Sequence, residues 1–212
     1  SGLGSTVLSL AITVLICAGW QGTRAFRAAE RILSPLLSVP HAAAAFGLAF
    51  LIAPSGWIAR LIAPIAGWDR PPDLLILQDP MGLSLIAGLV IKEVPFLLLM
   101  TLAALPQLRA EQRLTTAQAL GYGRLSGWLK TVLPGLYPMI RLPVFAVLAF
   151  SMSVVDVALI LGPNTPSTLA VQILRWMNDP DIAMRYRAAA GAVLLLGLTL
   201  GAILGGSLVT EV

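Results

Sequence analysis

Charged side chains are scarce in this sequence: Asp, Glu, Lys and Arg make up 11% of the 212 residues, against 58% hydrophobic residues. A soluble domain carries charge on roughly a quarter of its residues, so this composition excludes an ordinary soluble fold. A disordered chain is also excluded, because disorder requires low hydrophobicity and high net charge. With a mean hydropathy of +0.88, the sequence indicates a protein that lies in a lipid bilayer.

Cysteine and histidine occur once each, as Cys17 and His41. A single cysteine excludes a disulfide scaffold, and a lone histidine inside an apolar run favours neither a metal site nor a catalytic triad. The two lysines, Lys92 and Lys130, do not follow glycine, so the chain lacks the P-loop pattern that cradles nucleotide phosphates. We therefore expect no catalysis, no cofactor and no metal.

Long apolar runs are what the sequence does contain. A bilayer core is crossed by about 20 helical residues. Five runs meet this length, and we predict spans over residues 2–20, 32–53, 81–105, 136–161 and 188–209. Residues 57–68 are too few to span, carry Arg60 and have tryptophan at both ends, which is typical of an interfacial helix. The predicted fold class is an all-α polytopic membrane protein.

Basic residues are divided unequally between the predicted loops, with eight on one side of the membrane, five on the other and one within a span. The eight are Arg24, Arg27, Arg31, Arg109, Arg113, Arg124, Lys130 and Arg141, and the five are Arg60, Arg70, Arg175, Arg185 and Arg187. Because cytoplasmic loops are enriched in Lys and Arg, we predict that the N-terminus is outside and the C-terminus is cytoplasmic. No basic residue precedes the first run, so it is not a secretory signal, and we expect a further span upstream. The basic excess is explained by this topology, and nucleic acid is not an expected partner.

The polar segment over residues 111–134 predicts two short helices. Leu114, Ala117 and Gly121 share one helical face, and a second stripe has the spacing i, i+3, i+4, i+7. That stripe consists of Leu125, Trp128, Leu129 and Val132. Gly121 and Gly123 supply the break, and Pro134 begins the next span. Periodicity alone also allows a plain amphipathic connector at the membrane surface.

The same segment resembles the coupling loop of binding-protein-dependent ABC importer permeases, whose pattern is Glu-Ala-Ala, three residues, Gly, nine residues, Ile, one residue, Leu-Pro. Ala117, Gly121, Leu133 and Pro134 match this pattern, whereas Thr115, Thr116 and Thr131 replace its Glu, first Ala and Ile. Residues 92–98 and 153–163 look most like the YnjC-type two-domain permeases, which are grouped with thiamine, iron and sulfate importers.

The resemblance implies a MetI-like, type I importer core of five spans that fills residues 1–212 as a single transmembrane domain, one half of a longer or paired transporter. It implies ATPase-coupling contacts by Thr115, Thr116, Ala117, Gly121, Leu133 and Pro134. The implied partners are an ABC ATPase subunit, a periplasmic substrate-binding protein, a second permease half and the lipid bilayer. The implied location is the bacterial inner membrane, with a periplasmic N-terminus, and the implied cargo is a small solute such as a thiamine-like compound, a metal or an oxyanion.

Apart from Arg141, which lies near the start of its span and is counted with the loops, three charged residues fall within the predicted spans: Lys92, Glu93 and Asp156. A charge at the bilayer centre costs roughly 2.5–3.5 kcal/mol on insertion scales, so each needs a cavity or a partner. Lys92 and Glu93 point about 100° apart on a helix and do not form a facing pair. Two interpretations stay open for Lys92 and Glu93, namely packing against neighbouring helices and carbonyls, or lining a translocation path. For Asp156 the open roles are an outer gate, a helix-packing contact or a snorkelling surface charge.

Two other functions are compatible with five spans. In an ion- or proton-coupled secondary transporter, Glu93, Asp156 and His41 would form a relay and no ATPase would be needed. In an assembly subunit without transport activity, the main feature would be Gly197, Gly201 and Gly205, whose spacing of four residues predicts a helix contact face. The two-helix loop that ends in Leu133-Pro134 favours the ABC permease, because a proton-driven carrier does not need it.

Overall fold

The computed structural model describes residues 1–23, 26, 31, 33, 35–70 and 73–210. Helices dominate this part of the chain. In chain order they are α1 (Gly2–Trp20), α2 (His41–Ile52), α3 (Trp57–Ala66), α4 (Leu83–Ala104), α5 (Ala110–Ala119), α6 (Arg124–Thr131), α7 (Leu133–Ser153), α8 (Asp156–Leu161), α9 (Leu169–Met177) and α10 (Met184–Thr210). Within the same residues the only extended pairing is a single bridge between Asn164 and Ser167.

Five segments of the described chain are long and apolar enough to cross a membrane. They are Gly2–Trp20, His41–Ala66, Leu83–Ala104, Leu133–Ser153 and Met184–Ser207. The chain is therefore an all-α polytopic membrane protein, and the predicted fold class is confirmed. α4 continues through Pro95 without a break, although a proline removes one hydrogen bond of the helical ladder.

The second apolar segment differs most from the predicted span over 32–53, of which residues 32 and 34 lie outside the described part of the chain. Residues 35–38 are helical, Val39 forms a bend and α2 begins only at His41, with Pro40 as its N-cap. A residue that precedes proline is disfavoured in the helical region, which explains the interruption at Val39. α2 is 12 residues long, about 18 Å at the helical rise, so it reaches span length only together with α3.

The helix predicted over 136–161 is divided into α7 and α8. The Ser153 hydroxyl donates to the carbonyl oxygens of Ala149 at 2.8 Å and Phe150 at 3.3 Å, in competition with the backbone bonds at this helix end. Asp156 then lies in the first turn of α8, where the N-terminal N–H groups favour a carboxylate. Hydropathy does not register this division, because both parts are apolar.

The internal contacts divide the chain into two compact units. Unit I comprises Gly4–Val39 and Val90–Val147, and unit II comprises Ser1–Leu3, Pro40–Leu89 and Leu148–Val212. The core of unit I is formed by fully buried side chains from α1, α4, α6 and α7, among them Cys17, Leu97, Trp128 and Leu136.

Unit II has its own apolar core, which contains Leu85, Leu89, Val157 and Leu161. Here α2 packs against α8, and α9 packs against α10. A side chain at Gly88 would overlap Leu161, so the glycine allows α4 and α8 to lie in close contact.

Candidate functional site

The loop between α4 and α7 folds as two short helices, α5 and α6, as the glycine pattern predicted. Gly121 adopts a positive φ of 87°, which is costly for residues with a Cβ. The Tyr122 N–H donates to the Ala117 carbonyl at 3.1 Å, and the Gly121 N–H donates to Gln118 at 2.9 Å. These bonds satisfy carbonyl groups that the end of α5 leaves free, so the chain turns sharply into α6.

Close packing joins α5 to α6. A Cβ atom at Gly127 would lie 3.2 Å from Ala117 Cβ, a tight approach, and 3.5 Å from Leu114, an ordinary van der Waals contact. The Arg113 guanidinium also donates from Nη1 to the Thr131 carbonyl at 3.3 Å. The two helices are therefore packed together as one unit, which we call the α5–α6 hairpin.

The apolar stripe predicted on α6 is divided in the structure. Trp128 and Val132 are fully buried, but Leu125 and Leu129 are 47% and 37% exposed, so the four side chains do not share one buried face. Successive residues turn by about 100°, and the buried face of α6 is centred on Trp128 and includes Gly127. Sequence spacing could not show which edge of the stripe faces the core.

The hairpin therefore carries a set of exposed apolar side chains. We call this set the hairpin surface. It consists of Leu120, Tyr122, Leu125 and Leu129, and Leu120 is 74% exposed. The Lys130 ammonium lies 4.7 Å from the centre of the Tyr122 ring, within the range of a cation–π contact.

The residues at the positions of the family pattern occupy different environments. Ala117 is buried and Leu133 half-buried, whereas Thr115, Thr116, Gly121 and Pro134 are exposed. The hydroxyl groups of Thr115 and Thr116 donate to the carbonyl oxygens of Glu111 and Gln112, one turn earlier in α5. Pro134 lies in the first turn of α7, where its missing N–H costs nothing.

The hairpin is also fastened to α1, a feature that the sequence analysis missed. The Arg124 guanidinium donates to the carbonyl oxygens of Ala18 and Gln21, and the Trp128 indole N–H donates to the Gln21 side chain at 2.9 Å. From the sequence alone, Arg124 is predicted only to be a basic loop residue. Its position directly after Gly123, at the start of a short helix, was the available signal.

Lys92 binds the interrupted second segment within unit I. Its ammonium donates to the carbonyl oxygens of Leu36 at 2.8 Å, Leu37 at 3.4 Å and Val39 at 2.7 Å. These carbonyl groups lie where the helical residues 35–38 end, and carbonyl groups in the last turn of a helix have no partner within it. The lysine side chain, only 6% exposed, therefore replaces the hydrogen bonds that the break removes.

Glu93 points to a different helix. Its carboxylate accepts hydrogen bonds from the Ser5 hydroxyl at 2.9 Å and the Ser9 hydroxyl at 2.7 Å, and all three residues are buried. Ser5 and Ser9 are one turn apart on α1, so a single carboxylate contacts both. Lys92 and Glu93 thus contact two different partners, as their angular separation predicted.

Asp156 and His41, both in unit II, have less enclosed positions. Asp156 is exposed at the first residue of α8. The His41 ring is half-buried, and its centre lies 4.6 Å from that of the Phe150 ring. Within the described part of the chain, no group of three or more His, Cys, Asp or Glu residues is arranged to hold a metal ion.

A buried carboxylate at the start of α4 was not recognised as a site in the sequence. Asp79 accepts hydrogen bonds from the backbone N–H groups of Leu83 at 2.8 Å and Ser84 at 2.9 Å and from the Ser84 hydroxyl, which also donates to the Leu161 carbonyl. Burial acts to raise the pKa of Asp79, but these hydrogen bonds outweigh it and hold the pKa below its usual value. An acidic residue just before a helix start was the sequence signal.

The glycine series on α10 is open to the surroundings. Gly197, Gly201 and Gly205 are exposed, and an added Cβ atom at each would find nothing within 4 Å in the described structure. Among the described residues, the predicted helix contact face is therefore not used for packing.

Comparison with known proteins gives one curated relative. No family model matches the chain. Over 198 residues, 92% of its length, the chain is 33% identical to the inner membrane ABC transporter permease protein YnjC of Escherichia coli (strain K12). The chain spans 36% of the length of that relative.

Proposed function

We propose that this chain is a transmembrane permease domain of a binding-protein-dependent ABC importer. It would pass a small solute across the inner membrane with energy from ATP that a separate subunit hydrolyses. The observation that carries the proposal is the α5–α6 hairpin, a rigid unit between two candidate spans that presents apolar side chains outward. The similarity to an ABC permease over 92% of the chain supports the same function.

The hairpin surface is suited to a protein partner. Exposed apolar side chains that lie together on a surface are typical of interaction sites. Leu120 and Leu125 are 74% and 47% exposed on a hairpin whose inner face is fully packed, so they are not needed for its core. An ABC ATPase subunit would bind here, and Thr115, Thr116, Ala117, Gly121, Leu133 and Pro134 would shape or flank its contact. Closure of the ATPase pair would then rock one permease half against the other.

The second permease half is a further proposed partner. The relative is long enough to contain more than one domain of this size, since the chain spans 36% of it. The exposed series Gly197, Gly201 and Gly205 offers a face on which another helix can pack closely. The chain would thus be one domain, residues 1–212, of a fused or paired transporter.

The orientation follows the basic residues, with the hairpin and the C-terminus in the cytoplasm and the N-terminus of this segment in the periplasm. A periplasmic binding protein would deliver the solute to the periplasmic side of the domain, opposite the hairpin. Thiamine-like compounds, metals and oxyanions are the candidate cargo classes, on the basis of the resemblance alone.

The proposed path residues have different supporting contacts. Asp156 is exposed and is the strongest of the three candidates to face a solute. Lys92 and Glu93 hold helices by buried hydrogen bonds, and we propose that they support the helices that border the path.

An ion-coupled carrier is not favoured by the environment of Lys92. In such carriers the carbonyl groups of a broken helix coordinate the transported ion. Here the ammonium of Lys92 is bound to the carbonyl groups at the break, so a fixed cation occupies that position.

The test is whether an ABC ATPase binds through the hairpin surface. The affinity-tagged protein is purified from its own membranes in mild detergent, and bound proteins are tested for ATP hydrolysis and for a P-loop sequence by mass spectrometry. Leu120→Glu should abolish this binding while membrane insertion persists, and Leu120→Met is the matched control that keeps the site apolar. If the wild-type protein is well inserted and retains no ABC ATPase, the proposed function is wrong.

A further inference from the structure

The C-terminal end of α1 is bound by a side chain of the hairpin. Arg124 Nε donates to the Ala18 carbonyl at 2.9 Å, and Nη2 of the same guanidinium donates to the Gln21 carbonyl. The last carbonyl groups of a helix have no partner within the helix and carry partial negative charge. Arg124 therefore supplies α1 with a C-terminal cap from a residue that is 106 positions later in the chain.

Trp128 adds a second bond to the same point. One helical turn after Arg124, its indole N–H donates to Gln21 Oε1 at 2.9 Å, and the ring is fully buried. Gln21 is thus held through its main-chain oxygen by Arg124 and through its side-chain oxygen by Trp128. Two contacts one turn apart on α6 fix the direction of that helix as well as its distance from α1.

The two edges of α6 have separate roles. Arg124 and Trp128 contact α1, while Leu125 and Leu129 belong to the exposed hairpin surface. Val132 is fully buried, and α7 begins at the next residue. A push on the exposed edge would therefore act through α6 on α1, and along the chain on α7.

We propose that Arg124 and Trp128 are positioning residues that transmit movement of the α5–α6 hairpin to α1, so that ATP hydrolysis is coupled to transport. This inference rests on the proposed function. Arginine is suited to the role, because its planar guanidinium donates to two carbonyl groups in a fixed geometry. Lysine carries the same charge on a flexible stem and holds the two groups less rigidly.

The experiment uses the complete transporter in liposomes and measures solute transported per ATP hydrolysed. In Arg124→Ala the ATPase should remain bound, because the hairpin surface is intact, and hydrolysis should continue while transport per ATP falls about tenfold. Arg124→Lys should recover part of the loss. Trp128→Phe and Gln21→Leu each remove the hydrogen bond between the Trp128 indole and the Gln21 side chain and leave an apolar side chain in place. Each should lower the transport per ATP less than Arg124→Ala does.

Arg185→Ala is the control, since it makes the same substitution at an exposed position of unit II and should leave the ratio unchanged. The inference is overturned if the wild-type transporter couples normally and Arg124→Ala transports the same amount of solute per ATP. That result would leave the proposed function intact. An equal fall of hydrolysis and transport in Arg124→Ala and Trp128→Phe would also overturn it, because that pattern indicates only less folded protein. Absence of any ATPase from the wild-type complex would contradict the proposed function instead.

Discussion

The ammonium of Lys92 lies 2.7 Å from the carbonyl oxygen of Val39, the residue at which the second apolar segment is interrupted. Pro40 follows directly and cannot continue a helical ladder through its own nitrogen. In a bilayer no water is available for the freed carbonyl groups, so an internal cation is an effective replacement. One buried charge thus explains how a broken helix is tolerated at this place.

Replacement of this lysine should destabilise the protein. In Lys92→Met the carbonyl groups of Leu36 and Val39 lose their partner, and a polar group left unsatisfied away from water costs about 1–3 kcal/mol. We expect a loss of about 2–4 kcal/mol in the free energy of unfolding, measured by denaturation in detergent micelles. Lys130→Met, at the other lysine of the chain, is the control and should change stability little. Equal stability of Lys92→Met and wild type would show that the contact contributes nothing.

The carboxylate of Glu93 and the hydroxyl of Ser9 should be energetically coupled. Their hydrogen bond of 2.7 Å is buried and involves a carboxylate, the stronger class of hydrogen bond. A double-mutant cycle with Ser9→Ala and Glu93→Gln should give a coupling energy of about 1–2 kcal/mol in the free energy of unfolding. The corresponding cycle with Ser153→Ala, whose hydroxyl bonds its own helix, should give about zero. Strictly additive effects of Ser9→Ala and Glu93→Gln would contradict the prediction.

Asp156→Asn should lower uptake severalfold but cost at most about 1 kcal/mol in stability, the contribution of a charge at a helix N-terminus. The side chain is exposed at the start of α8, so its charge is not needed for packing, and loss of charge on a solute path should lower the initial rate of uptake severalfold. Asp69→Asn, at an exposed aspartate outside the helices, is the matched control and should transport normally. If Asp156→Asn takes up solute at the wild-type rate, the carboxylate does not act on the solute path and its role is purely structural.

Asp79 should make stability dependent on pH in the acid range. Its pKa in the folded protein lies below the ordinary value of 3.8, so the folded state favours the charged form. The stabilisation is fully present above the ordinary pKa and is lost as the pH falls through the lower folded-state pKa. Asp79→Asn should cost about 1 kcal/mol at neutral pH, because hydrogen bonds to a charged group contribute about 1.5–3 kcal/mol and those to a neutral group about 0.5–1.5 kcal/mol.

The measurement is the melting temperature between neutral pH and pH 3, where Asp79→Asn should fall less steeply than wild type. Asp73→Asn, at an exposed aspartate of the same loop, serves as the control. Parallel curves for wild type and Asp79→Asn would exclude a contribution from this carboxylate.

Local patterns in the sequence were sufficient to predict much of the fold. The five apolar runs predicted an all-α membrane protein, and Gly121 and Gly123 predicted the break between α5 and α6, because each depends on neighbouring residues only. The division between α7 and α8 was not predicted, since the side-chain bonds of Ser153 leave no trace in hydropathy.

The partners of the charged residues could not be predicted in the same way. Lys92 meets carbonyl groups 53 to 56 positions earlier in the chain, and a backbone carbonyl group has no sequence signature. Arg124 meets α1 over a still longer separation. The sequence predicted that these charges need partners, but the partners become visible only when distant helices are packed together.

The distance along the chain between Val39 and Lys92 also has a consequence for biogenesis. Val39 is synthesised 53 residues before the lysine that binds its carbonyl group. At a translation rate of about 5–20 residues per second, this delay is about 3–10 s. During that time the carbonyl groups at the end of the helical residues 35–38 need hydrogen-bond donors from water, lipid headgroups or the insertion machinery. The second apolar segment can therefore reach its final bonded state only after Lys92 of the third segment has been synthesised and packed against it.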